Sequence, residues 1–259
     1  MSAADFLLYE FPCNEKIRMY LRLESLFRRY DWFCAQDSSV AHQAAIAALF
    51  DLLDATARSD LRNELIQELE RHRQRLMQLR GNREVKQETL IRTLDELGAA
   101  ISGVAGTVGR TGQSVRENQW LQLIRTRQSI AGGTCEFDLP QLHLWLNQPP
   151  AVRREELLSY VSTLMPIRQA AMLLLRLLRA SSVRNDYTAR GGACQLPMNR
   201  GQSYSLAQIW LPAGSDLVPE VSANKYMLWI RFSRPDSDHK LHPVRTENIP
   251  FSMGLCSLT

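Results

Sequence analysis

The stretch from Arg116 to Leu146 (RENQWLQLIRTRQSIAGGTCEFDLPQLHLWL) gathers side chains suited to holding an anion: Arg116, Arg125 and Arg127, with His143 following. A guanidinium offers a planar fork of N–H donors that can meet a carboxylate with two hydrogen bonds, and an imidazole adds a titratable donor. The predicted chemistry is capture of an anion or an acidic peptide. A second grouping lies in NKYMLWIRF. Strand alternation puts Tyr226, Leu228, Ile230 and Phe232 on one face and Lys225, Met227, Trp229 and Arg231 on the other. A tryptophan between two cations either packs beneath another layer, as large aromatics usually do, or anchors a partner. A third grouping is the first helix, where Lys16, Arg18, Arg22, Arg28 and Arg29 form a strongly basic side. A solvated face is sufficient to explain it.

Catalytic constellations fail one by one. There is no G-x-S-x-G, no H-E-x-x-H and no paired Cys/His motif. His42, His72, His143, His239 and His242 do not fall at metal-ligand spacing. His239 and His242 read as a chance pair in a polar loop, and His72 as a packed, hydrogen-bonded histidine. The glycines of GVAGTVGRTGQ imitate a phosphate loop, but Val104 stands where the first glycine belongs and Arg110 replaces the lysine. No enzyme, metal or cofactor is expected.

The elements that must carry these residues follow from periodicity. Asp5–Phe11 reads as an edge strand. Asn14 caps a helix with Ile17, Tyr20, Leu21, Leu23, Leu26 and Phe27 inward. Asp37-Ser38-Ser39 opens a second helix. A third, from about Asp60 to Arg80, has the heptad-like seam Leu65, Leu69, His72, Leu76, Leu79. A fourth runs from about Gln87 to Ile101. In the central stretch an amphipathic helix is stopped by Gly132-Gly133, and Asp138 caps a second one that accepts Pro140 in its first turn. Pro149-Pro150 opens another helix that ends at Met165-Pro166, and Ile167–Arg179 is a buried helix. From Ser181 the composition turns to glycine, proline, serine and asparagine around the β-type runs SLAQIWLP, KYMLWIRF and IPFSMGLC. The expected class is α+β: a mostly helical domain over 1–180, then a smaller antiparallel β-strand domain over 181–259, with residues 5–11 pairing into the latter.

At 259 residues and 45% hydrophobic, the chain can bury a proper core in one large domain or two small ones. A net charge of +4 permits nucleic acid, an acidic membrane surface or an acidic protein segment and selects none of them. Five dispersed cysteines with no C-x-x-C pair argue against a disulfide framework and for a reduced, cytoplasmic protein. The N-terminal MSAADFLLYEFP lacks the pattern of a signal peptide, and the most apolar run, Met172–Leu178, is far shorter than a membrane span.

Three blocks together resemble the ZapD family: YEFPCNEKIRMYLRLE (Tyr9–Glu24), GQSVRENQWLQLIRTRQSIAGGTCEFDLPQLHLWL (Gly112–Leu146) and NKYMLWIRF (Asn224–Phe232). The resemblance implies a helical domain followed by a β-strand domain. It also implies a cytoplasmic homodimer at the mid-cell division ring that binds the C-terminal tail of the tubulin-like FtsZ and bundles its filaments. No nucleic acid, small-molecule substrate or transmembrane segment is implied. Arg22 and His143 match family positions associated with the docking surface, Arg116 and Arg231 occupy matching basic positions, and Arg58 and Lys225 align beside them; Trp229, from the strand alternation above, is the apolar anchor expected beside these cations. Gln119 and Met227 stand where relatives can carry arginine, so Arg125, Arg127 and Lys225 are the alternatives for building the pocket. The competing expectation is a nucleic-acid-binding protein that uses the same basic helical face.

Overall fold

A computed structural model of the chain describes residues 5–57, 60–107, 109–198, 204–224 and 226–257. The fold is α+β, with helices in the N-terminal part and antiparallel strands in the C-terminal part. The described elements are β1 (Phe6–Pro12), α1 (Glu15–Ala35), α2 (Ser39–Ala55), α3 (Leu61–Met77), α4 (Gln87–Ala105), α5 (Gln113–Glu117) and α6 (Gln119–Gln128). They continue with α7 (Pro140–Leu146), α8 (Pro150–Ser162), α9 (Met165–Ala180), β2 (Asn185–Ala189), β3 (Ala193–Pro197), β4 (Leu206–Pro212), β5 (Val218–Ala223), β6 (Met227–Pro235), β7 (Leu241–Pro243) and β8 (Ile249–Cys256). The contacts divide the chain into two compact units, Met19–Leu174 and the pair of segments Met1–Arg18 and Leu175–Thr259.

In the helical unit, α2 is the central element. Ala45, Ile46, Leu49, Leu52 and Leu53 are all buried, so most of its circumference is apolar and covered. Ser38 caps it by accepting from the Ala41 amide. α1 turns its Leu23, Phe27 and Tyr30 into the core, where Tyr30 donates to Leu157 O at 2.6 Å. The unpaired carbonyls at helix C-termini are a recurring demand here. Neither α1, α2 nor α4 carries a basic residue in its last turn. Arginines from elsewhere in the chain fill that role. Arg62 donates to Val104 O (3.1 Å) in the last turn of α4 and to Thr107 O (2.7 Å) and Gly109 O (2.9 Å) beyond it. Arg154 donates to Cys34 O at 2.9 Å at the end of α1. Arg153, 4% exposed, reaches Leu146 O and Gln148 O behind α7, and Asp37 O.

In the β unit, one sheet has the order β1-β4-β8-β2 and the other β3-β6-β5, with β7 pairing onto β6. All the pairings are antiparallel. β1 is an edge strand, paired with β4 from Phe6↔Pro212 to Pro12↔Leu206. The inner faces meet in one core that includes Ile209, Leu211, Leu228, Ile230, Phe232, Phe251 and Met253. On the outer face of the β1-containing sheet, Arg179 at the end of α9 grips Glu10 with two nitrogens, at 2.9 and 2.6 Å. Gln208 donates to the same carboxylate at 2.9 Å and accepts from Ser182 Oγ at 2.9 Å.

Several local expectations need correcting. α6 ends at Gln128, ahead of Gly132-Gly133, and those glycines sit in the run of turns that follows. Asp138 does not cap α7. Leu139 occupies the cap position with Pro140 at the start of the helix, while Asp138 accepts from Cys135 Sγ at 3.5 Å. α3 stops at Met77, where exposed Leu79 no longer has a partner layer. His72 is half-buried but makes no hydrogen bond among the described residues; burial first, and Arg75 second, lower its pKa. β6 begins at Met227, so Tyr226 lies before the strand and is 56% exposed.

Candidate functional site

The C-terminal turn of α2 draws in three arginines. Arg116, on the short helix α5, donates through Nη2 to Leu53 O and through Nε to Thr111 O at 3.4 Å. Arg110 donates to Ala57 O at 3.4 Å. Arg125, on α6, holds both oxygens of Asp54 at 2.6 and 2.8 Å, with its Cζ 5.7 Å from the Phe50 ring centre. Burial first, and then the neighbouring Arg110 charge, lower the pKa of Arg116, although a guanidinium stays protonated at any physiological pH. The close approach of α5 depends on Gly112. Its φ is +68°, and a Cβ there would sit 2.4 Å from Leu53 Cδ2.

Arg22 is exposed on α1. Two turns later on the same stripe, Arg29 pairs with Asp51 of α2. Seven residues of helix put Arg22 about 10 Å from Arg29 along α1. His143 is elsewhere. It is exposed on α7, with Nδ1 3.6 Å from Glu136 Oε2 and Nε2 3.5 Å from Asn147 Nδ2. α7 packs against the N-terminal half of α2, since Trp145 lies against His42 and the preceding loop gives Thr134 to Gln43 at 3.0 Å. The rings of Trp120, Trp145 and Tyr160 meet alongside, and Glu156 accepts from both Trp145 Nε1 (3.0 Å) and Tyr160 OH (3.2 Å).

Trp229 and Arg231 belong to the β unit. Trp229 is half-buried on the outer face of its sheet, opposite Gln195 and Ser222. Arg231 is exposed on the same face, opposite Glu220. Met227 on that face is half-buried opposite Pro197, and Gln119 is the exposed first residue of α6. Arg58 and Lys225 lie outside the described residues. Of the alternative cations, Arg127 faces Asp138 at 3.6 Å and Arg125 is held by Asp54.

Sequence reasoning singled out Arg110 only as a failed phosphate-loop residue, and it gave no reason to notice Arg153. Arg153 Nε donates to His42 Nδ1 at 3.0 Å, which puts the His42 proton on Nε2. His42 is fully buried, and burial first, then the Arg153 charge, lower its pKa. No linear motif joins residues 42 and 153, so the pair has no sequence signal. Among the described residues, no group of three His, Cys, Asp or Glu side chains is placed to hold a metal ion. No single described helix is long and apolar enough to cross a membrane.

Fold and arginine grouping together define a two-unit α+β protein whose helical unit gathers three arginines at the end of α2. The family described as "ZapD: Cell division protein" matches residues 21–231. Relatives named cell division protein ZapD include one from Ralstonia pickettii (strain 12J), 42% identical over 252 residues, covering 97% of this chain and 99% of the relative. Another, from Cupriavidus necator, is 43% identical with the same coverage. The chain belongs to the ZapD family of cell division proteins.

Proposed function

We propose that this protein is a non-enzymatic division factor that binds the C-terminal tail of FtsZ and, as a homodimer, bundles FtsZ filaments at the mid-cell ring in the cytoplasm. Family membership supports the division role. The observation that carries the tail-binding reading is the pair of exposed cations Arg22 on α1 and Arg110 beside the end of α2, where Arg116 and Arg125 are engaged by Leu53 O and Asp54. The remaining docking residues of this reading are His143, Arg231, Trp229, Lys225 and Arg58.

A two-fold dimer presents each surface twice. Two tails from different filaments are then held by one molecule, and crosslinking follows from bivalency without a catalytic step. Exposed ion pairs contribute only about 0–1 kcal/mol each, so affinity per site is modest, reversible and salt-sensitive. Such weak binding suits an array that must remodel.

The variants for testing this differ in what else they disturb. Arg116 holds the last turn of α2, so its replacement mixes folding with binding. Arg22 is exposed, and Arg22→Glu is the better probe. We expect it to abolish co-sedimentation with FtsZ filaments at physiological salt while sedimentation velocity shows the same dimer. Unchanged bundling would place the docking surface elsewhere. A synthetic FtsZ tail peptide should bind in calorimetry with an affinity that falls as salt rises, and binding indifferent to ionic strength would refute the electrostatic mechanism.

A further inference from the structure

Within the β unit, the two ends of the outer face of the β1-β4-β8-β2 sheet differ. At one end the close of α9 lies over it through Arg179, Ser182, Glu10 and Gln208. Beyond that, the row Leu8–Trp210–Ser252–Asp186 crosses all four strands, followed by Phe6, Pro212 and Pro250. Here the face opens into a groove of about 700 Å³. Arg184, just after α9, lies over it. Its Cζ is 4.0 Å from the Phe6 ring centre and 5.1 Å from that of Trp210. Rings on which a guanidinium rests fix its plane and leave its edge N–H groups pointing outward. Of its five N–H donors, Arg184 spends one on Ser252 Oγ at 3.1 Å. That hydroxyl in turn donates to Asp186 Oδ1 at 2.7 Å, so the nearest carboxylate is buffered from the guanidinium by a serine. Arg184 forms no ion pair among the described residues.

We propose that this groove docks an extended acidic–apolar peptide segment. A carboxylate of the segment pairs with the free edge of Arg184, and an adjacent apolar side chain covers Phe6, Trp210 and exposed Leu8. Two features favour a peptide over a polyanion. The groove offers one guanidinium, not a row of them, and Asp186 in the same groove repels a second phosphate. The aromatic and proline lining rewards a neutral apolar neighbour to the carboxylate instead. Among the described residues β1 is an edge strand, the position at which an extended chain adds to a sheet. This site shares no residue with those assigned above to the FtsZ tail.

The test uses the full chain labelled with 5-fluorotryptophan and ¹⁹F NMR, with Trp210 assigned from Trp210→Phe. The probes are the capped peptide acetyl-Leu-Asp-Val-Asp-Leu-amide and its counterpart with both aspartates replaced by asparagine. The acidic peptide should shift the Trp210 resonance saturably, and the asparagine peptide should not. Arg184→Gln should weaken binding at least tenfold with the far-ultraviolet circular dichroism unchanged. Arg184→Lys, which keeps the charge but loses the planar stack, should also weaken it. Arg22→Glu should leave it intact, which separates failure of this proposal from failure of the FtsZ-tail reading. An unmoved Trp210, equal binding of the asparagine peptide, insensitivity to Arg184→Gln, or an equal shift with inorganic phosphate or a short DNA duplex would overturn the proposal. A resonance that moves with protein concentration alone would put a second copy of the chain on this face and overturn it as well.

Discussion

Replacing Arg153 with methionine tests whether a buried arginine, not apolar packing alone, holds the ends of α1 and α7 to α8. Arg153 is 4% exposed and serves four acceptors: His42 Nδ1 at 3.0 Å, Asp37 O at 2.8 Å, Gln148 O at 2.6 Å and Leu146 O. At about 1 kcal/mol net for each acceptor left without its donor, the loss is about 4 kcal/mol. Methionine fills much of the same volume and returns about 1 kcal/mol through apolar burial. The expected net destabilisation is therefore about 3 kcal/mol, or roughly 6–12 °C in Tm at about 2–4 °C per kcal/mol for a unit of this size. Thermal unfolding followed by circular dichroism reads it. Arg153→Lys should recover only part of the loss, because one ammonium cannot reach all four acceptors, which belong to residues 37, 42, 146 and 148. A second readout is specific to the charge: in Arg153→Met the His42 pKa should move back toward its ordinary value, since the Arg153 charge, the second cause of its lowering after burial, is gone. A Tm change under about 2 °C, or an unmoved His42 titration, would refute the account.

His42 also sets a pH dependence. Its folded pKa lies below the ordinary value of about 6.5, so the unfolded chain binds the proton more readily. The stabilising contribution is complete above about pH 6.5 and is lost as pH falls from there through the folded pKa. Half-buried His72 acts in the same direction. His42→Asn, whose Oδ1 can accept from Arg153 in place of Nδ1, should flatten the acid limb of a Tm-against-pH curve; an unaltered limb assigns it to other groups. Gly112→Ala should destabilise by about 1–3 kcal/mol, because the new Cβ would meet Leu53 at 2.4 Å in a left-handed backbone. A neutral result in denaturant titration would show that α5 can lift away from α2 at no cost.

The helical half is legible because its signals are local. The periodic runs that become α1, α2 and α4 carry their own apolar stripes and, for α1 and α2, their own caps in Asn14 and Ser38. The strands split differently. β4, β6 and β8 read clearly because their inward residues form the core of the β unit. β2, β3, β5 and β7 are short, lie at sheet edges or beside them, and have too few buried side chains to impose an alternating pattern. The candidate site is legible only as a supply of cations. Arg116 stands out in the sequence as much as Arg22 does, yet one is half-buried on Leu53 O and the other exposed. That distinction comes from which helix ends meet, a long-range fact that residue spacing does not encode. Arg184 has no signal at all in SSVRND, because its aromatic partners, Phe6 and Trp210, are far away in sequence.

The fate of the arginines also bears on the competing nucleic-acid reading. A basic helical face attracts a phosphate backbone only if its charges point outward and are not already held. Here Arg62, Arg116, Arg153 and Arg154 are turned onto backbone carbonyls at or just beyond the ends of α4, α2, α7 and α1. Arg29, Arg125 and Arg168 are paired with Asp51, Asp54 and Asp31. Much of the positive charge in the helical unit therefore neutralises helix termini and carboxylates of the same unit, and a net charge of +4 overstates what a long polyanion would meet. What a partner finds is a few cations in fixed places, which suits a short peptide carrying few carboxylates. The consequence is measurable in the salt dependence of binding. A short tail that uses a few ion pairs gives a shallow slope of log affinity against log salt, whereas duplex DNA laid along a basic face releases a counterion for each phosphate neutralised and gives a steep one. A steep slope with DNA, together with DNA affinity matching that for FtsZ filaments at physiological salt, would reverse the ranking of the two readings.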